Sequence, residues 1–203
     1  MPLTERELLT KFQYDESAEA WLSKSGGRRR PCFWDLEMKR FEHRLPKKAR
    51  VVEIGCGPAT DGKYLKAAGF DVTSFDYSRT MLTIAKEMDS KAKLLQMNAY
   101  NLGFPKNSFD GFWATASLLH LERPQDAIKE IVRVTKDKGT GFVSVKDGEG
   151  DGIDPKSGYY FKYHTSEGFK EILKNCGFEI INAAKRPGTP SHDWLTYLVR
   201  VNK

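Results

Sequence analysis

Apolar and polar positions along this chain follow two different periods, and together they predict a succession of strands and helices. Short apolar runs alternate with segments in which apolar residues recur at helical spacing. The apolar runs predict strands at 50–55, 70–76, 92–98, 109–116, 139–146, 178–185 and 194–201. The periodic segments predict helices at 15–25, 34–45, 60–69, 78–88, 123–135 and 165–177.

The order of these elements predicts the fold class. Strands that alternate with helices are typical of a doubly wound α/β sheet, so we expect seven strands that are mostly parallel. The last two strands are separated only by residues 186–193, which leaves no room for a helix. They are therefore expected to form an antiparallel hairpin at one edge of the sheet. We expect residues 1–45 to form a helical cap within the same domain, and 46–203 to contain the sheet.

Composition narrows the class of protein. The chain has 203 residues, of which 39% are hydrophobic and 12% aromatic, enough for one folded core. It contains no run of about 18 apolar residues and its N-terminus has no apolar signal region, so we expect a cytoplasmic protein that does not enter a membrane. The three widely spaced cysteines, Cys32, Cys56 and Cys176, predict reduced thiols and no metal site. A monomer or a homodimer is expected.

Positive charge is concentrated in one segment. The net charge is +6, but residues 24–50 hold ten Lys or Arg and three Asp or Glu, which gives +7 there and −1 elsewhere. The densest part is Arg28, Arg29 and Arg30, which follow two glycines. Adjacent guanidinium groups can bind phosphate or carboxylate. The alternative is a solvated loop between two helices.

The segment VVEIGCGPATD has the pattern of a ligand-binding turn. A predicted strand is followed directly by Gly55 and Gly57, and a predicted helix comes next. Such a turn lets the backbone approach a ligand at the carboxyl edge of the sheet. Thr60 stands where a dinucleotide site needs its third glycine, although Asp76, 19 residues after Gly57, could bind a ribose in either case. This departure and the additional acid Glu53 favour a zwitterionic nucleoside cofactor without phosphates.

Four segments in this order resemble the motifs of class I S-adenosylmethionine-dependent methyltransferases. They are VVEIGCGPATD, VTSFDYS, FDGFWATASLLHL and RVTKDKGTGFVSVK. The resemblance extends from about residue 50 to the C-terminus, and it is nearest to a group of small bacterial-type enzymes of loosely defined substrate. It implies a Rossmann-like methyltransferase fold, S-adenosylmethionine as cofactor and S-adenosylhomocysteine as product.

The resemblance also implies roles for individual residues. Glu53 would lie near the methionine amino group, Asp76 would bind the two ribose hydroxyls, Tyr77 would face the adenine ring and Asn98 its edge. Ala114 would lie near the methionine end. The full set assigned to the cofactor is Glu53, Gly55, Cys56, Gly57, Asp76, Tyr77, Asn98, Ala99 and Ala114.

Two positions depart from the family pattern. The third glycine of the first motif is Ala59, which is small enough to be tolerated. The acid that meets the adenine edge is replaced by Asn98, whose amide oxygen still accepts a hydrogen bond but carries no charge. We therefore expect the ribose contacts to contribute more than the adenine contacts.

Several residues are candidates for catalysis or substrate binding. Methyl transfer from a sulfonium is a direct displacement, and an O–H or N–H acceptor must also lose a proton. His120 is the first candidate for a base and His164 the second, although a structural role for His120 is equally compatible with its position. Tyr160 and Tyr163 could line the substrate pocket or pack in the core, and Tyr14 of the cap could touch cofactor or substrate.

Three functions remain open at this point. The first is methylation of an O or N atom of a small molecule, which would be anionic if the three arginines bind it. The second is methylation of RNA, with residues 24–50 binding phosphates. The third is a cofactor-binding protein without catalysis, for which the replacement at Asn98 is the argument.

Overall fold

The computed structural model describes residues 1–24, 34–189 and 192–203. The helices are α1 (Glu5–Lys24), α2 (Asp35–Glu42), α3 (Thr60–Ala67), α4 (Arg79–Met88), α5 (Pro124–Val134) and α6 (Ser166–Asn175). The strands are β1 (Arg50–Ile54), β2 (Asp71–Asp76), β3 (Lys93–Gln96), β4 (Phe109–Thr115), β5 (Thr135–Lys146), β6 (Asp151–Ile153), β7 (Tyr160–Lys162), β8 (Phe178–Thr189) and β9 (His192–Val201). Within the described ranges, no helix is both long and apolar enough to cross a bilayer.

Seven of the strands form one sheet in the order β3-β2-β1-β4-β5-β9-β8. The first five are parallel, whereas β9 runs antiparallel to both β5 and β8. The predicted doubly wound sheet and its antiparallel C-terminal hairpin are confirmed. Strand order reverses between β1 and β4, and ligands of such sheets bind at the carboxyl ends of the strands at this point. A second small sheet pairs β6 with β7, which the sequence pattern did not predict.

Both faces of the sheet are buried, as expected for parallel strands covered by helices. Successive residues of β4 alternate between two cores. Phe112 and Ala114 pack with Val52 on one side, whereas Trp113 packs with Val51 on the other. This alternation determines which face of the sheet each residue at the carboxyl end of β4 points to.

Helix α1 is longer than the sequence pattern predicted, since it begins at Glu5 and not at residue 15. Its start is a capping box, in which the Thr4 backbone N–H donates to Glu7 Oε2 at 2.8 Å and the Glu7 N–H donates to Thr4 Oγ1 at 3.3 Å. The prediction was wrong because the apolar period is disturbed in this part of the helix. Leu8 and Phe12 are exposed, whereas Glu7 is buried.

Candidate active site

A cavity of about 800 Å³ lies at the carboxyl ends of β1, β2, β4 and β5. Helix α1 forms one of its walls, through Glu7, Thr10, Lys11, Tyr14 and Trp21. The sequence-predicted residues that line it are Tyr14, Glu53, Gly55, Cys56, Gly57, Asp76, Tyr77, Asn98, Ala99 and His120. Arg28, Arg29 and Arg30 lie outside the described residues, so their role stays a prediction.

The glycine-rich turn uses left-handed backbone at three positions. Gly55, Gly57 and Ala59 have φ values of 61°, 51° and 53°. A Cβ on Gly55 would come within 2.5 Å of Ser117 Cβ, so only glycine fits there. A Cβ on Gly57 would meet nothing within 4 Å, which shows that this position faces open space. Ala59 adopts the same conformation at a cost of about 1 kcal/mol or more, since its Cβ crowds the following carbonyl.

Asp76 ties this turn to the end of β2. Its Oδ2 accepts from the Gly57 N–H at 2.7 Å, and its Oδ1 accepts from the Ser78 N–H at 2.8 Å. A carboxylate has about four acceptor sites, so capacity for two further donors remains. Burial raises the pKa of Asp76, and the backbone N–H groups of Ser78, Gly57 and Tyr77 partly offset this rise. The residue is thus fixed in place and able to accept more hydrogen bonds in the cavity.

Glu53 is held from two sides and is only 2% exposed. Its Oε1 accepts from the Gly62 N–H at 3.0 Å, and its Oε2 accepts from the Ser74 hydroxyl at 2.6 Å. Burial, followed by the nearby charge of Asp61, raises the pKa of Glu53 to about 8. The carboxyl therefore fastens α3 to β1 and β2 while it lines the cavity.

Asp61 is a residue of the cavity wall that sequence reasoning missed. Its Oδ2 accepts from Trp113 Nε1 at 3.0 Å and from Thr115 Oγ1 at 2.9 Å. Its Oδ1 is buried and has no hydrogen-bond partner among the described residues. An acidic residue four positions after Gly57, in the first turn of a helix, is the signal that could have identified it. The unpartnered Asp61 oxygen beside Glu53 makes this end of the cavity suited to a cationic group, whose charge would favour ionisation of Glu53.

The wall next to β3 is formed by Tyr77, Asn98 and Ala99. The Asn98 Oδ1 accepts from the Tyr100 N–H at 2.9 Å, and its Nδ2 donates to the Met1 carbonyl at 3.1 Å. Both halves of the Asn98 amide are therefore engaged within the protein. That Asn98 contributes less to ligand binding than Asp76 stays a prediction.

His120 and Tyr14 form a hydrogen-bonded pair in the cavity wall. His120 Nδ1 lies 2.8 Å from the Tyr160 carbonyl, which can only accept, so Nδ1 carries the proton. His120 Nε2 therefore accepts from the Tyr14 hydroxyl at 3.0 Å. Burial lowers the pKa of His120 to about 4 and raises that of Tyr14, so both are neutral at pH 7. Tyr159 stacks on the Tyr14 ring at 4.2 Å between centroids.

The aromatic residues at and beside β7 that line the cavity differ from those named from the sequence. Tyr159 and Phe161 line the cavity, whereas Tyr160 and Tyr163 do not. Successive side chains of a strand point to opposite faces, so the ring of Tyr160 is directed away, 5.6 Å from the Arg6 guanidinium. Tyr160 contacts the site through its backbone carbonyl, which accepts a hydrogen bond from His120.

Two further predicted residues lie outside the cavity wall. His164 is 7% exposed and packs against Phe169, with 4.7 Å between the ring centroids. It is therefore not placed to act as a base there. Ala114 is fully buried in the core, and the wall at the end of β4 is formed by Thr115 and Ala116. Alternation along β4 explains the difference, since Ala114 packs beside Phe112 against α5.

The far side of the cavity contains residues that the sequence did not single out. Lys146, the last residue of β5, lines the cavity. Four aromatic or imidazole side chains also line it, and they come from α1, from the start of α2 and from the C-terminal hairpin. These are Trp21, Trp34, His192 and Trp194. They come from segments far apart in the chain, so no local motif could have united them.

The described thiols do not have the properties of nucleophiles. Cys56 lines the cavity, but burial raises the pKa of its thiol, which donates to the Gly57 carbonyl at 3.4 Å. Burial also raises the pKa of Cys176, and Cys32 lies outside the described residues. In the part of the chain that the structure describes, no three His, Cys, Asp or Glu side chains are grouped as a metal site would need.

Comparison with known proteins identifies a domain within the chain. Residues 52–143 match the family model described as a methyltransferase domain. The demethylmenaquinone methyltransferase of Renibacterium salmoninarum is 32% identical over 90 residues, which cover 44% of this chain and 38% of the relative. The malonyl-[acyl-carrier protein] O-methyltransferase of Enterobacter lignolyticus is 30% identical over 98 residues, which cover 47% and 39%. The chain thus spans about two fifths of the length of these relatives.

Solved structures match the whole fold. The Burkholderia thailandensis 1,6-didemethyltoxoflavin-N1-methyltransferase, bound to its substrate and S-adenosylhomocysteine, aligns with a TM-score of 0.75 at 17% identity over 100% of this chain and 93% of its own. The [4+2]-cyclase SpnF aligns with a TM-score of 0.77 at 18% identity over 100% and 98%. The family model and the fold confirm the resemblance to class I S-adenosylmethionine-dependent methyltransferases. Since SpnF is described as a cyclase, the fold alone does not decide the reaction.

Proposed function

We propose that this chain, which has the class I methyltransferase fold and a methyltransferase domain at residues 52–143, transfers a methyl group from S-adenosylmethionine to a small molecule. The observation that carries the proposal is the cavity at the point where strand order reverses, with the glycine-rich turn open towards it. Binding at this edge is the general rule for open α/β sheets.

The residues of the cavity fit this cofactor. Asp61 Oδ1 is a buried acceptor without a partner among the described residues, and an ammonium group would satisfy it. Asp76 retains acceptor capacity for two hydroxyls of a ribose. The open face of Gly57 allows a ligand to approach the backbone. A zwitterionic nucleoside has all three of the matching groups.

The remainder of the cavity supports a small acceptor. Its volume of about 800 Å³ lies within the range of about 300–1,000 Å³ that small-molecule sites occupy. The walls beyond the glycine-rich turn are aromatic, and α1 covers them. A nucleotide within folded RNA would need an open approach, so the arrangement favours a free small molecule. The two curated relatives, which are described as acting on demethylmenaquinone and on malonyl-[acyl-carrier protein], agree with a non-nucleic-acid acceptor.

The cofactor, when bound, supplies a methyl group that is already activated on a sulfonium. The protein aligns the acceptor and excludes water, for which the aromatic walls and α1 are suited. His120 Nε2 holds the Tyr14 hydroxyl so that a lone pair of the Tyr14 oxygen is available to the acceptor. The proton of an O–H or N–H acceptor then passes to Tyr14 Oη while the Tyr14 proton passes to His120 Nε2. The low pKa of His120 makes it a weak base at pH 7, so this transfer relies on the acceptor becoming more acidic as it gains the methyl group.

Methyl transfer from radiolabelled S-adenosylmethionine to cell extract tests this function. The products are separated into small-molecule, RNA and protein fractions after incubation with the wild type and with Asp76→Ala. We expect label in the small-molecule fraction with the wild type alone. Label confined to RNA would reject the small-molecule acceptor. If calorimetry shows no binding of S-adenosylhomocysteine and no label is transferred, the proposed methyltransferase activity is rejected.

A further inference from the structure

Lys146 is a buried cation in the wall of the cavity. It is the last residue of β5, it is 8% exposed, and it lines the cavity. Its Nζ lies 3.2 Å from the centroid of the Phe161 ring and 5.8 Å from that of Tyr163. The negative faces of aromatic rings favour the charged form of an ammonium. These contacts stabilise a positive charge at the surface of the cavity.

Among the residues that the structure describes, no carboxylate forms an ion pair with Lys146. Within the described ranges, no Asp or Glu oxygen lies within 4.0 Å of Lys146 Nζ, and residues 25–33 and 190–191 contain no Asp or Glu. The charge of Asp154 acts on Lys146 only from a longer distance. Buried lysines are almost always paired, because an isolated ammonium loses its hydration without compensation. An anionic group in the cavity would provide that compensation.

The position of Lys146 assigns it to the acceptor and not to the cofactor. Neighbouring strands are about 4.8 Å apart, so β5 is about 10 Å from β1 and about 14 Å from β2 along the edge of the sheet. Glu53 and Asp76, on the cofactor side, belong to β1 and β2. Lys146 pairs in register with Trp194 of β9, which also lines the cavity. The lysine is therefore surrounded by aromatic wall on the side away from the glycine-rich turn.

The lysine remains a cation at neutral pH. Burial lowers the pKa of Lys146 to about 8, so the ammonium is still the main form at pH 7. Its charge contributes, after burial, to the lowered pKa values of His120 and His192. Both histidines are consequently neutral and do not compete for an anion. Lys146 is thus mainly cationic at pH 7 and suited to bind an anion.

We propose that Lys146 binds an anionic group of the methyl acceptor, and that the acceptor is a carboxylic acid with an aromatic or aliphatic body. This proposal rests on the proposed methyltransferase function and specifies its substrate class. The carboxylate accepts from the Lys146 ammonium, and the body of the molecule packs against Phe161 and Trp194. Phosphate esters offer the same charge, so the experiment includes one.

Ligand titrations followed by tryptophan fluorescence test the proposal, since Trp21, Trp34 and Trp194 line the cavity. The probes are benzoate, indole-3-acetate and octanoate, each paired with its neutral amide, together with phenyl phosphate. They are added to protein saturated with S-adenosylhomocysteine. The variants are Lys146→Met, which removes the charge, and Lys146→Arg, which keeps it. Lys162→Met is the matched control, because this nearby lysine lies outside the cavity wall and donates to the Glu122 carbonyl.

We expect at least one carboxylate to bind the wild type about 10- to 100-fold more tightly than its amide, as a charge-assisted hydrogen bond predicts. The preference should disappear in Lys146→Met and persist in Lys146→Arg and Lys162→Met. A preference that survives in Lys146→Met, or its absence from the wild type with all three pairs, overturns the proposal. Tighter binding of phenyl phosphate than of benzoate overturns the carboxylate assignment.

Calorimetry with S-adenosylhomocysteine separates the failure of this proposal from failure of the proposed function. All variants should bind the product with the affinity of the wild type, which also shows that they are folded. Failure of the wild type to bind it would reject the methyltransferase itself. If Lys146→Met does not fold, Lys146→Gln replaces it, because its neutral amide keeps a polar end in the cavity. Loss of the carboxylate preference is expected in that variant as well.

Discussion

Replacing Asp76 with alanine removes the acceptor that we assign to the ribose of the cofactor. In the structure, each oxygen of the carboxylate already accepts one backbone N–H, from Gly57 and from Ser78. The two remaining acceptor sites are those that the ribose hydroxyls would use. Asp76→Ala therefore removes both proposed hydrogen bonds to the ribose, and it leaves the backbone N–H groups of Gly57 and Ser78 without their acceptor.

The magnitude follows from the charge on the acceptor. A hydrogen bond to a charged group contributes about 1.5–3 kcal/mol, so two of them contribute about 3–6 kcal/mol. This corresponds to a loss of affinity of about 10²- to 10⁴-fold for S-adenosylhomocysteine. Asn98→Ala is the matched control, since Asn98 is neutral and both ends of its amide already bind the protein. We expect that variant to lose about tenfold or less, as for one neutral hydrogen bond.

Isothermal titration calorimetry with S-adenosylhomocysteine measures both dissociation constants. Circular dichroism at the assay temperature checks that Asp76→Ala is folded despite its two freed backbone donors. Equal losses in the two variants would contradict the ranking of ribose above adenine contacts. A folded Asp76→Ala protein with wild-type affinity would refute the assignment of Asp76 to the cofactor.

Three other predictions can be measured directly. His120→Ala should lower the turnover number by about 10²-fold or more, as loss of a general base does, and should leave the affinity for S-adenosylhomocysteine unchanged. Near-normal turnover would show that His120 is not catalytic. Burial lowers the pKa of His164 to about 4. The neutral imidazole therefore contributes to the free energy of unfolding at pH values above 6.5, the ordinary pKa of histidine, and this contribution is lost as the pH falls towards 4. In urea titrations of His164→Phe at pH 4.5–6, the free energy of unfolding should therefore fall less steeply with decreasing pH, by about 1.4 kcal/mol per pH unit, and identical slopes would contradict this. Replacing all three arginines at 28–30 with Gln should raise the KM for an anionic acceptor while cofactor affinity is retained, and an unchanged KM would identify a solvated loop.

The cofactor side of the site could be predicted because its determinants are local. Gly55 and Gly57 stand together in one turn, and Asp76 follows the next strand at a recognisable distance. The succession of strands could be predicted for the same reason, since each strand is marked by its own apolar run. The start of α1 was also encoded, in the capping box of Thr4 and Glu7, but the disturbed apolar period hid it.

The acceptor side could not be predicted from the sequence because it depends on register and on distant packing. Tyr160 and Tyr163 were the residues named from the sequence, but successive residues of an extended segment face opposite sides, and Tyr159 and Phe161 line the cavity. Lys146 resembles any polar residue at the end of a strand. Its importance arises from the aromatic rings that surround it and from the lack, among the described residues, of an acid beside it.

The wall that α1 contributes has a consequence for the order in which the molecule assembles. Two of its hydrogen bonds join residues very far apart in the chain, 150 positions from Thr10 to Tyr160 and 106 from Tyr14 to His120. Contacts of such separation form late, because long stretches of chain must be ordered first. During synthesis, α1 emerges before these two partners and can contact them only after more than 100 further residues have been made. We therefore expect variants with a weakened sheet to lose ligand binding before they lose their secondary structure.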